Sequence, residues 1–390
     1  MTKNNKQIKL SDKTPRRNFI KKAALGAGAL SAFGAFGFPN SISESSGQKV
    51  EENNLHDLQL KFAGYDFDRV IALTNGKVKV KGCSLSFEKS GIGDTNTNIF
   101  IGPQTFDFAE IGLIPFMLAY ANDNFRDYTL LPVFPLRVFR HKSVFIRTDR
   151  GINKPEDLKG RTIGTPGYSS TSLTWIRGIF QDEYGIDPKD IKWVTSAKDS
   201  AAATVGKVSK NEQLVPEGIS MVTGPAGMDE SELLELGEVD ALFHAAEPKA
   251  FVKGYPNIGR LFPNYKKVEQ AYFSKTGIFP IMHAVAVRKE LLEKHPWLDK
   301  AIFDAYSEAK KIDFQFLRKL GWAYESLPWF AYEMEETQTL MGKDFWPYGI
   351  EANRKALETI CRYCYEQGLI KQKVSFEHLF LPASFEFAEE

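Results

Sequence analysis

Strand-like and helix-like segments alternate along most of this chain, which restricts the folds open to it. The runs "LQLKFAG" and "IKWVTS" have the pattern of strands, whereas "STSLTWIRGIFQDEYGI" has the apolar spacing of a helix. Such alternation is typical of α/β proteins, in which helices cover sheets that contain parallel strands. The sequence therefore predicts an α/β fold with mixed sheets flanked by helices and a helical C-terminal part.

The length of the chain predicts two lobes. At about 100 to 200 residues per domain, 390 residues exceed a single compact unit. We expect a first lobe from 57–147 together with 283–390, and a second lobe from 148–282. Ligands of open α/β sheets bind beyond the carboxyl ends of the strands, and the loops after the predicted strands carry polar side chains. A cleft between the lobes is the expected binding site.

The first 40 residues resemble a twin-arginine export signal. Arg16 and Arg17 are followed by "NFIKK" and then by a mildly apolar run of Ala, Gly and Leu. The polar residues 41–56 have the composition of a linker. We therefore expect a periplasmic or otherwise exported protein that is a substrate of the twin-arginine machinery.

The charge balance and the cysteines exclude several classes of protein. Lys and Arg number 50 and Asp and Glu 49, so there is no overall electrostatic basis for binding nucleic acid or an anionic membrane. Cys361 and Cys364 form a C-x-x-C inside a helix-like run, which favours buried thiols over redox or metal chemistry. No motif has metal-ligand spacing, and the sequence assigns no metal and no cofactor.

Three cationic or titratable side chains interrupt the apolar stretch "PVFPLRVFRHKSVFIR": Arg137, Arg140 and His141. A guanidinium group matches a carboxylate with two parallel hydrogen bonds. We expect at least one of the two arginines to hold an anionic ligand, although their spacing requires a bend if both are to reach it. The alternative is an internal ion pair with an early carboxylate: Asp66, Asp68 or Glu110.

The stretch "GTPGYSSTSLTW" places Ser170 and Thr171 where a helix begins after a strand. Their hydroxyls can cap the helix, and the free N–H groups of its first turn can hold an anion. Capping alone and anion binding both remain open. Among the titratable residues, His141, His283 and Glu247 are the preferred acid–base candidates, since an apolar cleft shifts the pKa of such groups toward neutrality.

Several long motifs resemble the 4,5-dihydroxyphthalate decarboxylases. They include "GYDFDRVIALTNGKVKVKGCSL", "FDFAEIGL" and "DLKGRTIGTPGYSSTSLTWIRGIFQDEYGI", and the likeness covers most of residues 58–382. The resemblance implies a two-lobed fold like that of type II periplasmic solute-binding proteins. It also implies a set of cleft residues from four loops: Tyr65, Asp66, Arg69, Glu110, Arg137, Arg140, His141 and Tyr168.

Two functions follow as expectations. The resemblance implies a decarboxylase that acts on a hydroxylated aromatic carboxylate, and the export signal favours a second possibility. In that alternative, the cleft only captures an anionic or aromatic carboxylate and delivers it to an ABC-type permease. The ligand in both cases is a small carboxylate.

Overall fold

Two mixed β-sheets form the framework of the protein. The computed structural model describes residues 58–319 and 325–389, so the predicted signal 1–40 and linker 41–56 lie outside the described residues. The strands of this part are β1 (Leu58–Gly64), β2 (Cys83–Lys89), β3 (Phe108–Gly112), β4 (Tyr128–Leu131), β5 (Val144–Arg147), β6 (Thr162–Thr165), β7 (Lys192–Thr195), β8 (Met221–Thr223), β9 (Ala241–Phe243), β10 (Ile258–Arg260) and β11 (His283–Arg288).

The first sheet has the strand order β2-β1-β3-β11-β4. Strand β1 pairs in parallel with β2 and β3, and β11 pairs antiparallel with β3 and β4. All five residues of β3 are buried, and Glu110 is the only charged one among them. A carboxylate inside such an apolar strand needs a polar partner, and His283 on β11 is that partner.

The second sheet has the order β10-β5-β9-β6-β7-β8. Strand β6 pairs in parallel with β7 and β9, while β5 pairs antiparallel with β9 and β10. Residues 144–147 thus lie in the second sheet, whereas the expected boundary at 147 assigned them to the first lobe. The chain crosses between the sheets at 132–143. These residues form no strand, so the alternation of the sequence does not indicate where the change of sheet occurs.

Helices cover both sheets and make up most of the C-terminal part. They are α1 (Asp68–Thr74), α2 (Ile92–Phe100), α3 (Leu113–Asn122), α4 (Thr171–Tyr184), α5 (Ala202–Val205), α6 (Glu230–Leu236), α7 (Lys249–Val252), α8 (Tyr265–Thr276), α9 (Lys289–Lys294), α10 (Leu298–Leu317), α11 (Phe330–Met341) and α12 (Arg354–Glu366). The predicted α/β class and helical C-terminal part are confirmed. None of the described helices is both long enough and apolar enough to cross a membrane.

The C-x-x-C lies in α12, as the apolar spacing predicts. Cys361 and Cys364 are both free and buried. Burial raises the pKa of Cys361 to about 12, so its thiol stays protonated at neutral pH. The prediction of buried thiols is confirmed.

Candidate active site

A cavity of about 350 Å³ is lined by residues from both sheets. Its walls come from the segments that follow β1, β2, β3, β4, β6, β7 and β9 and from the beginning of β11. A volume in this range suits one small organic molecule. Apolar side chains form part of the wall: Phe67, Ile92, Leu136 and Val138.

His283 and Glu110 form a buried pair at this cavity. His283 stands opposite Gly112 across the antiparallel β3–β11 pairing, so Glu110, two residues back along β3, is its diagonal neighbour. His283 Nδ1 lies 2.6 Å from Glu110 Oε1. His283 lines the cavity, and its Nε2 has no hydrogen-bond partner in the described part of the chain. The carboxylate thus orients the ring and leaves one nitrogen available to a ligand.

The carboxylate of Glu110 is itself fixed from the β1 side. The backbone N–H of Tyr65 donates to Glu110 Oε2 over 3.2 Å. A Cβ on Gly64 would lie 3.0 Å from both Glu110 Cβ and Oε2, so only glycine leaves room for this carboxylate. The Tyr65 ring stacks on His283 at a centroid distance of 6.2 Å. These contacts hold the pair in one geometry.

Arg140 contributes a buried cation to the same cavity. Its Nη1 donates to the carbonyl of Ala245 over 3.2 Å, and its Nε lies 3.3 Å from the sulfur of Met282. Nη2 has no acceptor and the side chain forms no ion pair among the residues described. Burial lowers the pKa of Arg140 to about 10, which still leaves it charged at neutral pH. The charge of Glu269 acts on Arg140 and opposes this shift, but the two form no ion pair, so the buried guanidinium favours the binding of an anion.

The N-termini of α3 and α4 meet at the cavity. Ser170 caps α4 by accepting a hydrogen bond from Leu173 N over 3.3 Å, and Thr171 Oγ1 accepts one from Ile114 N over 3.0 Å. Both predicted hydroxyl residues line the cavity, as does Ser172. The capping role of Ser170 is therefore observed. Anion binding by the first turn of α4 remains a proposal.

Arg137 lies outside the cavity lining, unlike Arg140. Its Nη2 donates to Phe279 O over 2.9 Å and its Nη1 to Pro347 O over 3.2 Å. The guanidinium also lies 4.9 Å from the centre of the Phe279 ring. Arg137 and Arg140 therefore contact different neighbours. Arg137 links residues 132–143, which cross between the sheets, to the C-terminal part at Pro347. Neither arginine forms the alternative ion pair within the described residues.

The other two acid–base candidates also lie away from the cavity. His141 is buried, and its ring packs against Phe262 and Tyr272, each at a centroid distance of 5.4 Å. Glu247 is exposed and forms an ion pair with Arg260. Neither lines the cavity, whereas His283 does. The loop after β9 turns Glu247 outward, and a short 3-10 turn takes His141 into the core.

Three further predicted ligand residues have partners elsewhere. Asp66 is exposed and lies 2.6 Å from Lys89 Nζ. Arg69 Nε donates to Pro135 O over 2.6 Å. Tyr168 is fully buried and stacks under the Arg177 guanidinium, 3.7 Å from the ring centre. None of the three lines the cavity, whereas Tyr65 does.

The structure also brings in residues that the sequence reading missed. Glu212 and His244 line the cavity. Burial raises the pKa of Glu212, although the Ser209 hydroxyl donates to its carboxylate over 2.8 Å and opposes that shift. The pattern Ser-x-x-Glu at 209–212 forms a capping box, and this pattern could have indicated from the sequence that Glu212 begins a helical turn. His244 directly follows a strand, so the strand-end rule applied to it as well as to Glu247.

The burial of His141 predicts a loss of stability in mild acid. Burial lowers the pKa of His141 from 6.5 to about 4. Between about pH 6.5 and 4, His141 is therefore protonated in the unfolded chain but not in the folded protein. The free energy of unfolding falls by up to about 3 kcal/mol as the pH is lowered through this range. Urea unfolding of the wild type and of His141→Asn from pH 7 to 4 measures this. We expect a shallower pH dependence in the variant, and parallel curves would refute the assignment.

Comparisons with known proteins identify two curated relatives. The chain is 34% identical to a 4,5-dihydroxyphthalate decarboxylase of Comamonas testosteroni over 331 residues, which are 84% of this chain and 98% of that protein. A second such enzyme, from Pseudomonas putida, is 29% identical over 208 residues, 53% of this chain and 78% of that protein. A family model described as NMT1/THI5 like matches residues 137–211.

A solved structure with a similar arrangement is that of the periplasmic aliphatic sulphonate binding protein SsuA from Escherichia coli. Its sequence is 14% identical, the TM-score is 0.49, and the match covers 85% of this chain and 99% of that one.

Proposed function

The chain belongs to the 4,5-dihydroxyphthalate decarboxylase family, and from this premise we propose that it removes carbon dioxide from a hydroxylated aromatic carboxylate. The proposed substrate is of the 4,5-dihydroxyphthalate type, and the cavity lined by Arg140 and His283 is the proposed site. One observation supports this most strongly. An unpaired guanidinium nitrogen and an unpaired imidazole nitrogen face the same cavity, beside the carboxylate that orients the imidazole.

Arg140 is the proposed anchor for the carboxylate that the substrate keeps. A phthalate carries two neighbouring carboxylates, of which one leaves. Binding the leaving group tightly would stabilise the ground state and slow the reaction, whereas binding the retained group orients the ring without that penalty. The first-turn N–H groups of Thr171 and Ser172, which have no acceptor in the described chain, offer the same carboxylate further donors.

His283 is the proposed general acid. In 4,5-dihydroxyphthalate each carboxylate-bearing carbon is para to a hydroxyl, which makes that carbon electron-rich. His283 Nε2 would protonate this carbon. The bond to the carboxylate then breaks, its electron pair returns to the ring, and CO2 leaves. Glu110, 2.6 Å from Nδ1, stabilises the positive charge that the ring of His283 carries before the transfer.

The apolar wall assists the step in which charge disappears. The leaving carboxylate is ionic and CO2 is neutral, so the reaction is favoured where water is excluded. The apolar residues Phe67, Leu136 and Val138 supply this surface. Burial raises the pKa of Tyr65 to about 12, so its hydroxyl stays neutral next to the site.

A second function needs only part of this machinery. Arg140 and the first turn of α4 are sufficient to capture a carboxylate for an ABC-type permease, with no proton transfer. The test of the first proposal separates the two. Purified protein is incubated with 4,5-dihydroxyphthalate, and CO2 in the headspace and 3,4-dihydroxybenzoate in solution are measured. We expect both products in equal amounts. A thermal shift without either product would support the capture function and contradict decarboxylation.

We also propose export by the twin-arginine machinery, on the basis of Arg16 and Arg17. Substituting both by Lys in the full chain should move the protein from the periplasmic to the cytoplasmic fraction of a host that has this machinery. Fractionation followed by immunoblotting measures the distribution. Unchanged fractionation of the variant would refute this route.

A further inference from the structure

A second titratable cluster lies at the same cavity but takes no part in the proposed reaction. Asp199, Glu230 and His244 are far apart in the sequence, yet their ligand atoms lie within 4.8 Å of one another. His244 Nε2 is 3.1 Å from Asp199 Oδ1 and 3.5 Å from Glu230 Oε1. The exposed fractions of the three side chains are 8% for Asp199, 0% for Glu230 and 2% for His244.

The backbone fixes which nitrogen of His244 faces the carboxylates. His244 Nδ1 lies 2.9 Å from the carbonyl oxygen of Ala246, and a carbonyl can only accept, so Nδ1 carries a proton. In the neutral ring, Nε2 then carries a lone pair that points toward two carboxylate oxygens. A histidine ligand of a metal ion is oriented in this way, with its other N–H donated to a backbone carbonyl.

With both carboxylates ionised and His244 neutral, this cluster carries two negative charges. Within the described residues, neither Asp199 nor Glu230 forms an ion pair with Lys or Arg. Ser200 donates to Glu230 from its backbone N–H, which satisfies oxygen atoms without neutralising them. Two buried carboxylates and an imidazole lone pair repel one another unless a positive charge lies between them.

We propose that Asp199, Glu230 and His244 bind a divalent transition-metal ion, with zinc as the best fit. Zinc bonds of about 2.0–2.1 Å to nitrogen and oxygen in a tetrahedral site place neighbouring ligand atoms about 3.3 Å apart. The distances of 3.1 and 3.5 Å from His244 Nε2 bracket that value. One imidazole nitrogen and two carboxylate oxygens also suit manganese and iron(II).

The ion would keep an open coordination position toward the cavity. Asp199 and His244 line the cavity, whereas Glu230 lies behind them. Three protein ligands and one open position are typical of metal sites that bind a substrate. Two adjacent hydroxyls on an aromatic ring chelate such an ion when it expands to five ligands, so the site would take the dihydroxy edge of the substrate. This last role rests on the proposed function, whereas metal binding does not.

The competing occupant is a proton on Nε2. Burial lowers the pKa of His244, but the hydrogen bond with Asp199 and the charge of Glu230 outweigh that effect, and the pKa is raised overall. An imidazolium would therefore offset one of the two carboxylate charges. Metal titration distinguishes the two occupants, because a protonated ring does not bind zinc.

The test uses the full chain after treatment with a chelator and gel filtration. Zinc and, separately, manganese are titrated by calorimetry without substrate, and bound metal is counted by mass spectrometry after dialysis. Cobalt(II) is added to a third sample, and its visible absorption reports tetrahedral coordination. We expect one ion per chain and a tetrahedral cobalt spectrum.

Two variants and one control assign the site. His244→Ala and the isosteric Asp199→Asn should each weaken zinc binding by about 100-fold, since the first removes a ligand and the second removes the negative charge of one. The control is His378→Ala, which removes an exposed histidine outside the cavity and should leave the affinity unchanged. Circular dichroism checks that each variant is folded.

The proposal fails if the wild type binds no metal at one ion per chain, or if both variants bind as the wild type does. These outcomes are independent of decarboxylation. A protein that binds zinc but releases no CO2 would support this metal site and contradict the proposed decarboxylation. A protein that releases CO2 but binds no metal would support the decarboxylation and contradict the metal site.

Discussion

Replacing Arg140 with Met is expected to weaken the binding of 4,5-dihydroxyphthalate by about 10- to 100-fold. A hydrogen bond to a charged group contributes about 1.5–3 kcal/mol, and each 1.4 kcal/mol is a factor of ten in affinity. Arg140 Nη2 has no acceptor of its own among the described residues, so its interaction energy is available to the substrate. Because the retained carboxylate is held equally before and during the reaction, the change should appear in KM rather than in kcat.

The matched control is Arg137→Met, three residues earlier. Arg137 donates to the carbonyls of Phe279 and Pro347, and both would lose a donor. We expect the free energy of unfolding to fall by about 1–3 kcal/mol while the Kd of the folded protein stays the same. Calorimetric titration and urea unfolding of the two variants measure this contrast. An unchanged Kd in Arg140→Met would remove the arginine from the site.

Replacing His283 with Gln should lower kcat by about 10²- to 10⁴-fold, the usual contribution of a general acid. Gln keeps a polar group of similar reach but cannot deliver a proton to carbon. KM should change little, because His283 acts on the ring carbon and not on the retained carboxylate. Steady-state kinetics with product detection measures both constants. Glu110→Gln removes the charge that stabilises the His283 imidazolium, and we expect a smaller loss of kcat in the same direction.

The control for this pair is Glu247→Gln, which alters an exposed ion pair with Arg260 outside the cavity. Its kcat should match that of the wild type. If Glu247→Gln lost as much activity as His283→Gln, or if His283→Gln kept full kcat, the proposed general acid would be wrong.

The order of strand-like and helix-like segments predicts the fold class. Part of the cavity lining can also be predicted from the sequence. The rule that polar residues after strands face a common edge led to Glu110, Arg140, Ser170 and Thr171, and all but Glu110 line the cavity directly. Glu110 instead contacts His283, which does. The rule works here because the carboxyl ends of β1, β3 and β6 meet at the same place.

The rule failed where the backbone is irregular. Residues 132–143 contain no strand, so alternation could not tell which way Arg137 or His141 would point. Pairing partners decided it, since Arg137 bridges to Ile281 and His141 turns into an aromatic pocket. In the loop after β9, only two residues separate His244 at the cavity from Glu247 at the surface. Local sequence does not encode that reversal.

The proposed metal site could not be predicted from the sequence, for a different reason. Asp199, Glu230 and His244 come from a loop, a helix start and a strand end, so their spacing matches no local motif. Only the packing of the second sheet brings them together. Sequence patterns detect ligands that share one segment, and this set does not share one.

The central claim is that the substrate lies with one carboxylate on Arg140 and its ring against His283. A crystal structure of inactive His283→Gln soaked with 4,5-dihydroxyphthalate tests it most directly. We predict a carboxylate oxygen within about 2.7–3.2 Å of Arg140 Nη2, with the other carboxylate-bearing carbon facing position 283. A substrate bound outside this cavity, or inside it with Arg140 left without a carboxylate, would contradict the claim.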